Sequence, residues 1–321
     1  MTDVTPNEAI EAYLTERSTE LSASSIQNHR YQLKQFRLWC ERVGVSQVQS
    51  IEPIHISRFR RYRSDEINSN TMYNQLSVVR LFLRFCERMG WSGIDGHDLS
   101  ESIVLPSRDG KARDRSISAD RAGKILDELE RYEYASIDHV IFALSWTAAI
   151  RIGALRSLDL KDLHLDERYI EINHRPETHT PLKNKVKSER EVNLHGWVCD
   201  ILRAWISDRR FDVTDDHSRE PLLTTRYGRA ARSTIRRRVY RLTDCGGLHR
   251  GCDCSNRSSK CDKSVSPHDI RRSSITAWLD QGHDPSLLSA RFDVSERVIS
   301  DHYDVRSEQQ KRELRRDAFN M

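Results

Sequence analysis

Near the end of the chain, "ISDHYD" (299–304) sets Tyr303 among acidic and histidine neighbours. A phenol there is either an ordinary surface residue or a nucleophile, and a nucleophile needs a group to take its proton and fixed cations for the charge that develops. Three other stretches offer such groups. "SPHDIRR" (266–272) reads as a helix start with Ser266 as cap and Pro267 in the first turn. His268 and Arg271 then lie three apart on one face, beside a helix N-terminus that favours anions. "WTAAIRIGALRSLDLKDL" (146–163) places Arg151 after a nearly uncharged run, where a guanidinium needs a buried partner or a ligand. "PLKNKVKSE" (181–189) carries Lys183, Lys185 and Lys187 on an expected hairpin tip. Taken singly, these are a surface pair, a structural salt bridge and solvated lysines. Taken together they suit displacement at an anionic centre such as a phosphate.

The elements that must position these groups fall into two parts. The first hundred residues read as about four helices, among them "SASSIQNHRYQLKQFRLWCERVG" with an Ile26, Leu33, Phe36, Trp39 stripe ending at Gly44. "LPSRDGKARDRSIS" (105–118) has turn residues and charge without periodicity, so it reads as a linker. The expected layout is a helical domain at 1–105, a linker at 106–117 and a mixed α/β domain at 118–321. In the second part, "RYIEINH" and "EREVNL" alternate like strands, flanking the lysine-rich tip. The fold class is therefore mainly α with a small antiparallel sheet.

At 37% hydrophobic and 31% charged, the chain has the composition of a soluble globular protein. It lacks an apolar run long enough to span a membrane, and "MTDVTPNEAIEAYL" is unlike a secretory leader, so the cytoplasm is the expected location. Ten lysines leave 42 arginines among the 52 basic residues. That bias has codon usage as one explanation, but "RFRRYR" (58–63) and "RYGRAARSTIRRRVYR" (226–241) cluster it as a polyanion-binding protein would. Arg232, Arg236, Arg237 and Arg238 are the candidate contacts to such a polyanion.

The order of these signals resembles the tyrosine recombinases, the phage-integrase family, over most of residues 118–310. The family's first box reads like T-G-x-R-x-x-E-x-x-x-L-x-x-x-D, and "TAAIRIGALRSLDLKD" keeps Arg151, Leu158 and Asp162. "KVKSEREVNL" is similar to K-G-x-x-x-R-x-V-P-L through Lys185, Arg190, Val192 and Leu194, and "SPHDIRRSSITAWLDQGHD" is similar to the second box through His268, Arg271 and Gly282. The helical first part loosely resembles the family's core-binding domain. Two departures stand out. Ala154 replaces a supporting glutamate, and the usual L-G-H before the tyrosine is missing, leaving Asp293 or Val294 in its place with His302 as a partial substitute. The pattern resembles that of a divergent branch such as the archaeal one.

The resemblance implies a site-specific recombinase or integrase of double-stranded DNA, nucleoid-associated and working as a dimer or tetramer, without ATP or a catalytic metal. It implies Tyr303 as nucleophile, Arg151 and Arg271 on the phosphate, Lys185 as acid to the leaving oxygen and His268 as proton acceptor or phosphate donor. A type IB topoisomerase and a catalytically inactive DNA-binding regulator are the alternatives. Outside the family's common pattern, Cys245, Cys252, Cys254 and Cys261 crowd one insertion (245–261). Four thiolates could close a structural zinc site, with His249 able to replace one; free thiols or redox disulfides are the other readings.

Overall fold

The computed structural model describes residues 3–92, 96–107, 115–247 and 258–303, with residues 309, 312 and 316 of the tail. The chain divides into two compact units, Met1–Arg113 and Asp114–Met321.

The first unit is helical. Thr5 and Glu8 form a capping box at the start of α1 (Pro6–Arg17), which satisfies two otherwise orphaned amides. Ser22 caps α2 (Ala23–Arg42), Pro53 opens α3 (Pro53–Ser64), Asn68 caps α4 (Ser69–Arg88), and α5 (Gly96–Glu101) follows. Gly44 and Gly90, at φ +75° and +69°, turn the chain out of α2 and α4 in a conformation that glycine adopts without steric cost. The core is knit by aromatic edges such as Phe36 on Phe59, 5.2 Å between centroids. The "RFRRYR" patch lies on α3. Its Arg58, Arg60 and Arg61 are exposed, while Arg63 is buried, donating to Gln75 and paired with Glu66.

The second unit runs α6 (Ala119–Tyr132), α7 (Ile137–Thr147), α8 (Ile152–Ser157), β1 (Leu163–His164), β2 (Tyr169–Ile172), β3 (Arg190–Asn193), α9 (Gly196–Ala204), β4 (Thr224–Thr225), β5 (Gly228–Arg229), α10 (Arg232–Leu242), α11 (Pro267–Asp280), α12 (Pro285–Phe292) and α13 (Glu296–His302). The apolar α7 is the centre: Val140, Ile141, Phe142, Ala143 and Leu144 are fully buried, and α6, α9, α10 and α11 pack around it. Strands β1, β2 and β3 form one antiparallel sheet, with Ile170 opposite Val192 and both in the core. A smaller cluster holds α11, α12 and α13 together through Ile275, Leu279, Leu288, Phe292, Val294, Ile299 and Tyr303.

β2 and β3 pair antiparallel with the three lysines between them, as expected. The connection, residues 173–189, folds back on itself through an Arg175–Thr180 bridge, a 3₁₀ turn at Pro176–Thr178 and another at Lys185–Ser188. Proline at 176 and the left-handed His179 interrupt any continued strand. Of the expected linker, residues 108–114 lie outside the described residues, whereas Arg115 and Ile117 are bound into the second unit by Ser264 and Ser273. Among the described residues no helix is long and apolar enough to cross a membrane.

Candidate active site

Three chain turns in the second unit meet at one place. The first follows α7, where Ala149 takes φ +45°. A Cβ is strained there, and the residue occupies the glycine position of the T-G-x-R pattern. The turn makes Arg151 the N-cap of α8 and points the Ala149 carbonyl at Arg271. The second is the start of α11. Ser266 and Asp269 form a capping box, Ser266 N–H donating to Asp269 Oδ2 at 2.7 Å, and Pro267 opens the first turn. His268 and Arg271 follow as the local sequence dictates. The third is the end of α12, where Asp293 adopts φ +51° and caps the helix.

Arg271 is 2% exposed. Its two terminal nitrogens donate to the carbonyls of Ala149 and Phe292, so the fork ties the first turn to the third. Burial pushes its pKa down to about 10; Arg151 and Arg190 push the same way, and Tyr303 and Asp293 oppose them. Arg190 on β3 is likewise pushed down to about 10 by burial. It donates to the carbonyls of Arg291 and Ser188, and its buried Nη2 has no partner among the described residues. Arg151 pairs with the Asp293 carboxylate and donates through Nη2 to the Asp293 carbonyl at 2.7 Å.

Tyr303 caps the C-terminus of α13, its backbone N–H bonded to Ile299 and its carbonyl accepting from Thr276 Oγ1 at 3.1 Å. The residue is 6% exposed and packs in the same small cluster as Ala149 and Phe292. His268 keeps an exposed edge, yet sits among enough protein for desolvation to lower its pKa. Arg271, Lys183 and Arg151 lower it further against Asp269.

The other expected residues are placed less simply. Lys185 starts the second 3₁₀ turn at φ +57°, is exposed, and makes no side-chain hydrogen bond or ion pair among the described residues. The charge of Lys183, on the same loop, acts on His268. Arg232, Arg236 and Arg237 are exposed on α10, but Arg238 is engaged inside the domain, donating to Asp138 at 2.9 Å beside Arg241. Of the two residues offered for the missing family histidine, Val294 is buried in the apolar cluster and Asp293 enters the site. The side chain of His302 lies outside the described residues, as do Cys252, Cys254 and His249. Cys245 is exposed and Cys261 buried at the two ends of the insertion. Those ends are pinned by Thr243 Oγ1, which accepts from the Val265 N–H at 3.0 Å, and by Arg121 on the Thr243 and Lys263 carbonyls. Residue-level reading missed Asn184, Ser188 and Arg291, each a polar side chain whose partner is about a hundred residues away.

Comparison with known proteins gives the family and the fold. The pattern described as Phage integrase family matches residues 115–305, and that described as Phage integrase, N-terminal SAM-like domain matches residues 10–90. Among solved structures, a lambda integrase dimer bound to a COC' core site is similar at 14% identity and TM-score 0.69, covering 96% of this chain and 79% of the other. The Tn1549 transposon integrase in complex with circular intermediate DNA is similar at 15% identity and TM-score 0.66, covering 97% and 98%. No curated protein matches the sequence. At these identities the structural likeness is one of fold.

Proposed function

The chain belongs to the phage integrase family, and from that premise we propose that it is a site-specific recombinase that cleaves and rejoins DNA through a covalent 3′-phosphotyrosine at Tyr303. One observation carries the reading. Arg271, fixed by carbonyls on both flanking turns, stands beside Arg151 and within electrostatic reach of Tyr303.

The Tyr303 oxygen attacks phosphorus, the bond to the 5′-oxygen breaks, and the phosphodiester energy is kept in the new phosphotyrosine, so rejoining needs no nucleotide cofactor. Arg151 and Arg271 hold the two non-bridging oxygens, where fixed cations act most on the developing charge. His268, whose neutral form is favoured by burial, takes the phenolic proton. Lys185 gives a proton to the leaving 5′-oxygen once its exposed turn closes on DNA, and Lys183 is the neighbour positioned to share that task.

Double-stranded DNA is the partner this reading requires, with assembly as a dimer or tetramer. The lambda integrase dimer solved on its core site supports both. Cytoplasmic, nucleoid-associated work follows from the substrate. A structural zinc on Cys245, Cys252, Cys254 and Cys261 is a separate proposal, resting on the thiolate cluster; metal analysis of the purified chain decides it.

The test is a nicked suicide duplex drawn from a library of the gene's flanking DNA. The natural chain gives a covalent protein–DNA band on a denaturing gel, and Tyr303→Phe gives none. DNA binding without a band on any duplex would leave a binding protein in place of an enzyme.

A further inference from the structure

Asp293 sits where three catalytic segments meet. Its carboxylate pairs with Arg151 of the α7–α8 turn. It also accepts from Ser188 Oγ at 2.6 Å and from Asn184 Nδ2 at 3.2 and 3.3 Å, both on the lysine-bearing loop. Its own backbone ends α12 and leads into the helix that carries Tyr303. Around it stand Arg151, Arg190, Arg271 and Arg291. Among the described residues Asp293 is the one carboxylate hydrogen-bonded to any of them, the remaining partners being carbonyls. Like charges so close need a counter-ion to stay in one geometry. The first helix of the site does not supply it, since Ala154, one turn after Arg151, has only a methyl group.

We propose that Asp293 is the positioning carboxylate of this active site, supplying from the α12–α13 turn the counter-charge to Arg151 that Ala154 does not supply from α8. The inference rests on the recombinase reading and assigns its missing support. Asp293 does not touch the reacting phosphate. It aims Arg151 through Nη1, and through Ser188 and Asn184 it fastens the loop of Lys183 and Lys185 to the tyrosine segment. The left-handed backbone of Asp293 permits this double reach, because the same turn directs its carbonyl to Arg151 Nη2.

Asp293→Asn is the incisive variant: asparagine tolerates the left-handed conformation and keeps the shape while removing the charge. On the nicked duplex, DNA binding stays within about threefold of the natural chain, while covalent-complex formation from bound protein falls about 10- to 100-fold, below the loss from deleting a direct transition-state donor. Adding Ala154→Glu to Asp293→Asn returns part of the rate by moving the carboxylate onto α8. Two results overturn the inference. A rate equal to or above the natural one means the carboxylate only occupies the phosphate's place until DNA expels it. A parallel loss of binding, cleavage and melting temperature in both the single and double variants means Asp293 serves folding alone. If the natural chain itself forms no covalent band, the recombinase reading falls and takes this inference with it.

Discussion

Two arginine clusters in the same unit are built on opposite plans. Beside the sheet, Arg175, Arg219 and Arg229 meet Asp159, Asp162 and Asp215. Arg175 reaches Asp159 at 3.1 Å and Asp162 at 2.8 Å, Arg219 reaches Asp215 at 3.0 Å, and Arg229 joins Asp215 to Asp159. Charges there match one to one, and the aspartates are almost wholly shielded from water. Around Tyr303, Arg151 alone of four arginines pairs with the Asp293 carboxylate; the other three rest on carbonyls, and among the described residues Arg190 Nη2 has no partner. A carbonyl satisfies a guanidinium's hydrogen bonds without cancelling its charge. The first cluster is therefore electrically complete and the second keeps uncancelled positive charge. Matching, and not the number of arginines, separates scaffold from site.

The comparison is broken most severely by unbalancing the complete cluster. Asp159→Ala removes a carboxylate shared by three buried or half-buried guanidinium groups and leaves two carboxylates, Asp162 and Asp215, to balance three cations. The expected cost is about 3–5 kcal/mol of stability, read by denaturant unfolding, with the cleavage rate per folded molecule unchanged. Acid attacks the same cluster late. Burial works to raise the Asp215 pKa, but hydrogen bonds from the Arg219 N–H, Arg229 and the His217 N–H outweigh it and hold the carboxyl well below its ordinary 3.8. A carboxylate lowered by folding contributes stability that is present above its unfolded value and lost as pH falls through the folded one. Asp215 should thus stabilise undiminished down to about pH 4 and fail only below, and Asp215→Asn should remove that acid limb.

The second change strikes the incomplete cluster. Arg271→Lys keeps the charge but cannot fork between the Ala149 and Phe292 carbonyls. Covalent-complex formation should fall about 10²- to 10³-fold, the scale of losing one oriented transition-state donor. DNA affinity should change little, because the exposed arginines of α10 remain. Equal losses in binding and cleavage would mean that Arg271 is scaffold after all.

What could be read from residues alone follows the range of the forces involved. Ser266, Pro267, His268 and Arg271 lie within six consecutive residues, and caps and i,i+3 spacing are local properties, so that part of the site was legible. So were the four long helices of the first unit, whose apolar stripes and terminal glycines are short-range signals. The pairing of Arg151 with Asp293 spans 142 residues, and an aspartate between two helices carries no mark of a partner so distant. The Asp159 network was hidden for the same reason. Strand alternation on both sides put the lysines between β2 and β3, but it says nothing about how residues 173–189 fill the space between. The cysteine cluster, with Cys252 and Cys254 outside the described residues, still rests on composition alone.

The smallest expected effect extends the same rule to α10. Its arginines lie on one helix, but Arg236 and Arg237 are exposed while Arg238 is paired with Asp138, which also takes Arg241. If unmatched charge marks DNA contact, each of the first two releases about one counterion on binding, so Arg236→Ala with Arg237→Ala should flatten the slope of log affinity against log salt by about 1.8. Arg238→Ala should leave that slope as it was and lower the melting temperature slightly, and none of the three should alter cleavage once DNA is bound. A slope that responds equally to Arg238 would show that ion pairing within the domain does not withhold an arginine from DNA, and the contrast between the two clusters would then hold only in the buried interior.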